Sequence, residues 1–581
     1  MKNKIYILLM CTVGLFFNSC DDDILDKYPL DTVTDSEFWQ TENDLQLYLT
    51  GLYGILPEWS GGSSDVTSFD LGTDIIIEGA QGLSFTYTNQ FDGTLNVPSS
   101  GGGWSWGDVR NINYFLGNLD KVDETEEQIA QYIGEAYFFR AYAYFELFAK
   151  FGGLPIIDKV LGLGDDDYLY APRESRKVTA DFILADLERA LSRLKDKGGA
   201  GAGRINSDIA LMFKARVSLY MGTWDKYHTG TVFAGDTDGT AYIQAAAAAA
   251  KLVIDGGNYM ISMDGGPSNA YYKLFTSNSV DIRDNEEVLL YKHYNDNDYG
   301  GGNNVGLNDI RQGMTHQMTE YYLCSDGLPR SVSPLVDANA KLGLLEIEKD
   351  RDPRFDQTLI TRGEVLVVDL DGNTTLFDTP DLVVASTAYE LKKWKTDWYD
   401  PVTNARSKDL PYISFRYAEA LLIYAEAKEE LGEFNQGVAD MTINLLRARV
   451  GMPDMQVPIP FVDTEWIDYG SPISPELQEI RRERVVELYA EGFRFNDLTR
   501  WRAHKIFTDM GRPTGAYLTA EDGIEEIFSP VVVNAEGYID LFVDVLTGGS
   551  YGFNEGRDYL SPLPNDQLKL NTSLTQNPGW L

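Results

Sequence analysis

The chain has 581 residues, of which 43% are hydrophobic, so it is long enough to bury a large globular core. It carries 49 basic and 89 acidic residues, for a net charge of −40 at pH 7. A negative field of that size repels phosphate backbones, so nucleic acid is not an expected partner. None of the four histidines has another at a metal-ligand spacing, so a histidine metal site is not expected either.

The N-terminus is typical of an export signal followed by a lipid attachment site. Lys2 and Lys4 precede an apolar run at 5–17, which is too short to span a bilayer and has the form of a signal peptide. A serine stands just before Cys20, and a small residue there is where a bacterial lipoprotein is cleaved and acylated. We therefore expect residues 1–19 to be removed and Cys20 to carry a lipid anchor. The alternative is ordinary secretory cleavage beside an incidental cysteine.

Amphipathic helices dominate the first half of the chain. Apolar residues at helical spacing, bounded by capping residues and by glycine or proline, predict them. The predicted helices are 42–53, 106–119, 124–150, 178–194, 206–221 and 242–254. Successive helix pairs are the pattern of tetratricopeptide-like stacking, in which each pair needs neighbours to bury its apolar face. The repeat is degenerate, so the sequence predicts this architecture and not a regular solenoid.

A loop-rich segment follows at 262–409. Its short alternating runs are separated by Gly, Asn, Asp and Pro, which predicts loops with small β elements. Helices return at 415–431 and 437–449 and form another pair of tetratricopeptide type. We therefore expect a single mainly α domain at 20–581. Its parts are a helical one at about 24–260, a loop-rich one at about 261–409, and a helical and closing one at about 410–581.

The strongest single signal is a predicted helix at 475–501, with Ser474 as its N-cap and proline at its first position. Glu483, Glu487 and Glu491 recur one turn apart on one face, where the like charges repel one another unless nearby cations neutralise them. This ladder is either a carboxylate active site or a buried ion-pair lattice that fixes the helix against its neighbours. The interleaved arginines favour the lattice. The partners expected for the three glutamates are Arg484, Arg494 and Arg500.

The same stretch resembles a known family. The spacing Glu-Arg-x-x-Glu-Leu-x-x-Glu-Gly-x-Arg-x-x-Asp-Leu-x-Arg-Trp is complete from Glu483 to Trp501 and resembles the C-terminal signature of the SusD/RagB family. Other segments resemble that family too: Phe-Gly-Gly-Leu-Pro ending at Pro155, Arg-Tyr-Ala-Glu beginning at Arg416, and Gln-Asn-Pro-Gly-Trp ending at Trp580. The resemblance therefore runs from the lipid attachment site to the last residues.

The resemblance implies a SusD-like fold and a lipoprotein on the outer face of the outer membrane. Such a protein binds glycans and lies as a lid on a SusC-type TonB-dependent transporter. Asp21, Asp22 and Asp23 resemble the signal that sends these lipoproteins to the cell surface. No catalysis and no cofactor are expected. Calcium has no support, because the acidic runs at 236–239 and 296–298 lack the glutamate that closes an EF-hand loop.

A glycan site needs exposed aromatic residues on loops with polar neighbours, because sugar rings stack their C–H faces on aromatic planes. The glycine-bounded loop at 101–106 meets this description best, although its second tryptophan could equally anchor the core at the start of a helix. Two other loops, rich in Asn, Asp and Gly or in aromatic residues, are further candidates. The predicted ligand residues are Trp104, Trp106, Asn111, Tyr294, Tyr299 and Trp398.

Two other functions stay open from the sequence. A surface-anchored glycoside hydrolase would need a carboxylate pair assembled by folding, which no local motif indicates. The same scaffold could also carry peptides instead of glycans, as in some relatives of the family. The sequence does not separate these cargoes.

Overall fold

A computed structural model of the chain describes residues 38–59, 70–78, 93–278, 280–294, 312–369, 371–382, 384–397, 410–467, 469–524, 527, 530–544 and 546–580. The predicted signal peptide, Cys20 and the acidic residues Asp21, Asp22 and Asp23 lie outside these residues. The α-helices, numbered in chain order, are α1 (Glu42–Leu52), α2 (Gly107–Leu116), α3 (Glu126–Phe151), α4 (Asp166–Leu169), α5 (Arg176–Leu191), α6 (Lys197–Ala200), α7 (Ser207–His228), α8 (Thr240–Gly256) and α9 (Ala270–Thr276). They continue with α10 (His316–Tyr321), α11 (Arg354–Thr358), α12 (Tyr417–Glu430), α13 (Gln436–Asp440), α14 (Ile443–Arg449), α15 (Pro475–Glu487), α16 (Arg494–Arg500), α17 (Lys505–Thr508) and α18 (Asn565–Leu570). The strands, labelled β1 to β6, are Ile76–Glu78, Val288–Lys292, Gln312–Met314, Val365–Val368, Thr374–Leu376 and Tyr412–Arg416.

The long helices pack in neighbouring pairs, as the sequence predicts. Helix α3 lies against α2 and α5, α7 lies against α5 and α8, and α12 joins α8 to α15. The start of α3 is fixed by a capping box, in which Thr125 and Gln128 satisfy each other's backbone N–H groups. Its buried rings, among them Phe138, Phe145 and Phe148, belong to the main core cluster. The mainly α, tetratricopeptide-like architecture is confirmed, and the division of the chain into three parts stays a prediction.

The β structure is small, and it corrects one predicted boundary. The described residues contain three two-stranded antiparallel sheets, β1–β3, β2–β6 and β4–β5. The helix predicted at 415–431 begins instead at Tyr417, because Phe415 and Arg416 pair with Leu290 and Val288 in the β2–β6 sheet. Strand pairing therefore overrides the helical periodicity of these two residues.

The helix predicted at 475–501 is two helices, α15 and α16. Ala490 and Gly492 between them have positive φ angles of 60° and 85°, which an α-helix does not contain. The break frees backbone carbonyls that buried side chains then bind: Lys393 Nζ donates to Tyr489 O at 2.6 Å, and Trp394 Nε1 donates to Ala490 O at 3.1 Å. The predicted helix at 437–449 is likewise divided, into α13 and α14.

The glutamate ladder is a buried ion-pair lattice. Arg354 Nη1 donates to Glu483 at 2.5 Å, and Arg416 donates to Glu487 at 2.7 Å and to Glu491 at 2.6 Å. Because these side chains are 7% exposed or less, the ladder offers no access to a substrate. The lattice interpretation is therefore correct, and the active-site interpretation of this helix is wrong.

The predicted partners of the ladder are wrong. Arg484 binds Asp497, Arg494 binds Asp74, and Arg500 binds Glu426. Arg484 follows Glu483 directly and so points to a different face of α15, while Arg494 and Arg500 lie on α16, beyond the break. The cations that neutralise the ladder therefore come from other segments. They are Arg354 of α11, Lys393, Arg416 of β6, and Arg447 and Arg449 of α14.

Candidate functional site

The main candidate site is a cleft around the first residues of α10. Two cavities, of about 450 and 350 Å³, are both lined by His316 and Gln317. We call them together the His316 cleft. Their lining side chains include Arg330, Asn339, Asp463, Glu465, Trp466, Arg482, Arg512, Asn534, Glu536, Tyr538 and Asp540. A cleft of this size and mixed polarity is the usual form of a small-ligand site.

Strand pairing and a helix cap place His316 at the cleft. Strand β3 pairs with β1, with Ile76 opposite Met314, and α10 begins directly after this strand. The Thr315 side chain accepts the backbone N–H of Met318 at 3.1 Å and donates to the Asp74 carbonyl at 2.5 Å. The cap therefore ties the start of α10 to the turn before β1 and fixes the position of the histidine.

Half-buried aromatic rings stand on both sides of His316. The Tyr538 ring centroid lies 4.4 Å from that of His316, at an interplanar angle of 41°. Trp466 lies in the other cavity, with the Arg482 guanidinium 5.2 Å from its ring centroid and the Tyr469 ring at 5.3 Å. Since Tyr538 and Trp466 are neither fully buried nor fully exposed, each is packed on one side and open on another.

The arginines of the cleft are each paired with a carboxylate. Arg512 binds Asp540, Arg482 binds Asp463, and Arg330 binds Glu320 at 2.8 Å. Burial works to raise the pKa of Glu320, but the positive charges of Arg351 and Arg330 outweigh it and lower the pKa below its usual value. Burial lowers the pKa of His316, so its imidazole is neutral near pH 7 and can both donate and accept a hydrogen bond.

This arrangement suits the recognition of hydroxyl groups more than acid–base catalysis. A general acid is a carboxyl kept protonated, usually by an apolar pocket or a neighbouring carboxylate. In the His316 cleft, Glu320, Asp463 and Asp540 are each paired with an arginine instead. Among the described residues, no three His, Cys, Asp or Glu side chains are grouped so that they could hold a metal ion.

Three of the predicted ligand residues lie near the start of α2 and do not line the cleft. The Trp104 ring packs edge-on against Phe151 at 5.0 Å and against Trp106 at 5.5 Å, and both tryptophans are half-buried. Asn111 is exposed one turn into α2, and its backbone carbonyl accepts the Tyr48 hydroxyl at 3.1 Å. We call Trp104, Trp106 and Asn111 the Trp104 surface. None of them lines the His316 cleft, and their ligand role stays a prediction.

The structure contradicts the ligand role predicted for Tyr294. Its side chain is 6% exposed and belongs to a core cluster with Trp59 and Trp394. Its hydroxyl accepts the Trp59 backbone N–H at 2.9 Å. A ring enclosed on all sides offers no face to a sugar, so Tyr294 is a core residue. Tyr299 and Trp398 lie outside the described residues.

Sequence reasoning missed the residues that build the cleft. His316, Trp466 and Tyr538 are far apart in the chain, and each is a single ring among polar residues with no local motif. Only the folded chain brings them to one cleft. The available signal was weak: each lies at or near the end of a short element in a segment rich in Gly, Pro, Asn and Asp, where ligand residues often occur.

Comparisons with known proteins agree with this fold. Residues 276–580, more than half of the chain, match the family model described as "SusD family". Residues 104–219 match a second model, described as "Starch-binding associating with outer membrane". Two curated relatives from Formosa agariphila are 25% identical to this chain. SusD-like protein P38 aligns over 88% of this chain and 93% of its own length, and SusD-like protein P2 over 100% and 99%.

Solved structures share the fold at lower identity. A SusD-like protein from Bacteroides fragilis is 24% identical, with a TM-score of 0.69 over 95% of this chain and 100% of its own. A SusD-like carbohydrate binding protein from the same species is 21% identical, with a TM-score of 0.70 over 93% and 100%. A laminarin binding SusD-like protein is 20% identical, with a TM-score of 0.55 over 93% and 100%.

Proposed function

Because this chain belongs to the SusD family, we propose that it is a surface lipoprotein that binds glycans and passes them to a SusC-type TonB-dependent transporter. In this proposal the protein does no chemistry on its cargo. It captures an oligosaccharide or polysaccharide and holds it at the mouth of the transporter, which performs the import.

The composition of the His316 cleft is the observation that carries the glycan proposal. Tyr538 and Trp466 offer half-buried rings for the C–H faces of two sugar units, one in each cavity. Gln317, Asn339 and Asn534 offer amides, which both donate to and accept from hydroxyl groups. Since an oligosaccharide presents these two kinds of surface in alternation, the cleft fits it better than an apolar ligand.

The cargo we propose is a neutral glycan. The arginines of the cleft are neutralised by Asp540, Asp463 and Glu320, while Glu465 and Glu536 at its rim are exposed. Together with the net charge of −40, these groups repel a polyanion. We expect a neutral polysaccharide to bind and an acidic one to bind weakly or not at all.

Attachment to the outer membrane through Cys20 is the second part of the proposal. Its support is the short apolar leader that ends at this cysteine and the match to a family model whose description names the outer membrane. None of the described helices is long and apolar enough to cross a bilayer. Metabolic labelling with a fatty acid should mark the wild-type protein, whereas Cys20→Ala should be unlabelled and leave the membrane fraction. Equal labelling of both proteins would contradict lipidation at this cysteine.

The transporter partnership is tested in the native membrane. We expect a TonB-dependent barrel to co-purify with the tagged lipoprotein after mild detergent extraction. Recovery of the lipoprotein alone, under conditions that keep other outer-membrane complexes together, would count against the role as a lid.

The glycan proposal is tested by calorimetry of the mature protein against neutral and acidic polysaccharides, with each mixture assayed for released sugars. Saturable binding of a neutral polysaccharide without released sugar supports capture. Released reducing ends would show a hydrolase instead. Binding confined to acidic polysaccharides would contradict the proposed choice of cargo.

A further inference from the structure

A second pocket, of about 250 Å³, lies away from the His316 cleft and shares no lining residue with it. It is formed by α3, α7, β6 and the break between α15 and α16. Its lining includes Glu146, Arg216, Tyr412, Phe493 and Asn496. We call it the Glu146 pocket.

Among the charged side chains of the described lining, Glu146 is the one without an ion-pair partner. Its side chain is exposed into the pocket and makes no hydrogen bond or ion pair with the described residues. The other charges are paired: Arg216 binds both oxygens of Glu419 at 2.7 Å, and Arg416 binds Glu491 at 2.6 Å. Two cations and two carboxylates of the lining thus cancel, and Glu146 leaves one net negative charge.

The walls around this carboxylate favour a cation. Tyr142, Phe145 and Phe495 line the pocket together with Tyr412 and Phe493, and aromatic faces attract positive groups. Although the Glu146 side chain is open to the pocket, desolvation by the protein around the pocket raises its pKa, and the charges of Arg216 and Lys150 only partly oppose this effect. A cation beside the carboxylate would relieve the desolvation that the surrounding protein imposes.

The size of the pocket limits what can enter. Pockets for drug-sized ligands span about 300 to 1,000 Å³, so this one holds a single compact group. An anion is disfavoured by Glu146, and a purely apolar group would leave the carboxylate desolvated without a partner.

We propose that the Glu146 pocket binds a compact ligand that bears a primary ammonium group, with the ammonium donating hydrogen bonds to the Glu146 carboxylate. Asn496 and the guanidinium of Arg216 lie in the same lining and are placed to bind the polar remainder of the ligand. The source of the ammonium is an amino sugar or an alkylamine. This site goes beyond the glycan cleft and does not depend on it.

Calorimetry of the mature protein in detergent tests the proposal, at a pH where the amines are protonated. Glucosamine is compared with N-acetylglucosamine, and n-butylamine with 1-butanol. We expect saturable binding of at least one amine and none of its uncharged counterpart. Binding of glucosamine alone assigns the site to amino sugars, and binding of butylamine assigns it to alkylamines in general. If neither amine binds, or if an uncharged counterpart binds as tightly as its amine, the proposal is overturned.

Glu146→Gln should weaken amine binding at least about tenfold, because the hydrogen bond from the ammonium then goes to a neutral amide oxygen and no longer to a carboxylate. Glu127→Gln is the matched control: it removes the same charge from the same helix, at an exposed residue outside the pocket, and should leave the amine affinity unchanged. Since Glu146 has no partner among the described residues, Glu146→Gln should unfold at the wild-type urea concentration and keep wild-type glycan binding in the His316 cleft. An unchanged amine affinity in Glu146→Gln would overturn the assignment.

Discussion

At the scale of single residues, the fold depends on charges that are buried in matched sets. Glu487 is fully buried and accepts hydrogen bonds from Arg354, Arg416 and Arg449. Burial alone would raise its pKa, but the three guanidiniums outweigh burial and lower the pKa well below its usual value. The carboxylate is therefore held in its charged form, at the centre of a buried network of hydrogen-bonded charges.

Glu487→Gln should destabilise the protein severely. It leaves three buried guanidiniums with one negative charge fewer, and breaking a buried pair costs about 3–5 kcal/mol. Urea unfolding measures the loss. The control is Glu433→Gln, which removes an exposed carboxylate paired with Lys428 and should cost less than about 1 kcal/mol. Equal losses in the two variants would contradict the structural role of the lattice.

The sequence predicts that this ion-pair lattice exists, but it does not predict which side chains pair in it. The helical spacing of Glu483, Glu487 and Glu491 depends on local geometry, so it can be deduced from the sequence alone. Their partners Arg354 and Arg416 lie 60 residues or more away, and no local pattern says which arginine reaches which glutamate. Pairings of this kind depend on tertiary packing.

At the scale of elements, the spacing of apolar residues predicts where the helices lie, but it does not predict every helix end or break. Helices α1, α3, α5, α7 and α8 fall within a few residues of their predicted bounds, except that α7 runs on to His228. The break between α15 and α16 was missed because Ala490 is a good helix former. In the folded chain Ala490 has a left-handed conformation, and its carbonyl accepts a hydrogen bond from Trp394.

Two helical glycines should respond to alanine with opposite changes in stability, because one is closely packed and the other is not. At Gly222 of α7, an added Cβ would lie 2.6 Å from Ile243 Cγ1 and 2.9 Å from the Gly239 carbonyl, so Gly222→Ala should destabilise the α7–α8 pair by about 1–3 kcal/mol. At Gly51 of α1, a Cβ would meet nothing within 4 Å. Gly51→Ala should therefore add about 0.5–1 kcal/mol, since alanine is the better helix former. Urea unfolding measures both, and stabilisation by Gly222→Ala would contradict the close packing.

At the scale of the whole molecule, two buried carboxyls shape the dependence of stability on pH. Burial raises the pKa of Asp70 to about 6, so the folded state takes up a proton at a higher pH than the unfolded state does. Burial would also raise the pKa of Glu426, but Arg500, Arg484 and Arg481 outweigh it and lower the pKa to about 2. As the pH falls, protonation of Asp70 therefore raises the free energy of unfolding, whereas protonation of Glu426 lowers it.

We expect the free energy of unfolding to be greatest near pH 5. As the pH falls through 6, protonation of Asp70 favours the folded state, and the net charge of −40 also diminishes. Below pH 4.5, Glu426 takes up a proton in the unfolded state first, and its contribution of about 3 kcal/mol is lost by pH 2. Urea unfolding across this range measures the profile. A steady decline from pH 7 to pH 5 would contradict the assignment of Asp70.

The candidate site is the part of the molecule that the sequence predicts least. The loop with Trp104 and Trp106 was recognisable because the residues are adjacent. The His316 cleft joins residues from α10 with Trp466 and Tyr538, which are about 150 and 220 residues further along the chain. Tyr294 had the same polar neighbours as a ligand residue, but the fold encloses it. Whether an aromatic side chain is exposed depends on the tertiary structure, so it cannot be deduced from the sequence alone.

The measurement that tests the central claim most directly is calorimetry of Trp466→Ala, Tyr538→Ala and Trp104→Ala with the neutral glycan that the wild-type protein binds. If the His316 cleft holds the glycan, the two cleft variants should each lose about tenfold in affinity, because each removes apolar area that a sugar face covers. Trp104→Ala should bind as the wild type does. Wild-type affinity in both cleft variants, with a loss in Trp104→Ala, would contradict the account and assign the site to the Trp104 surface.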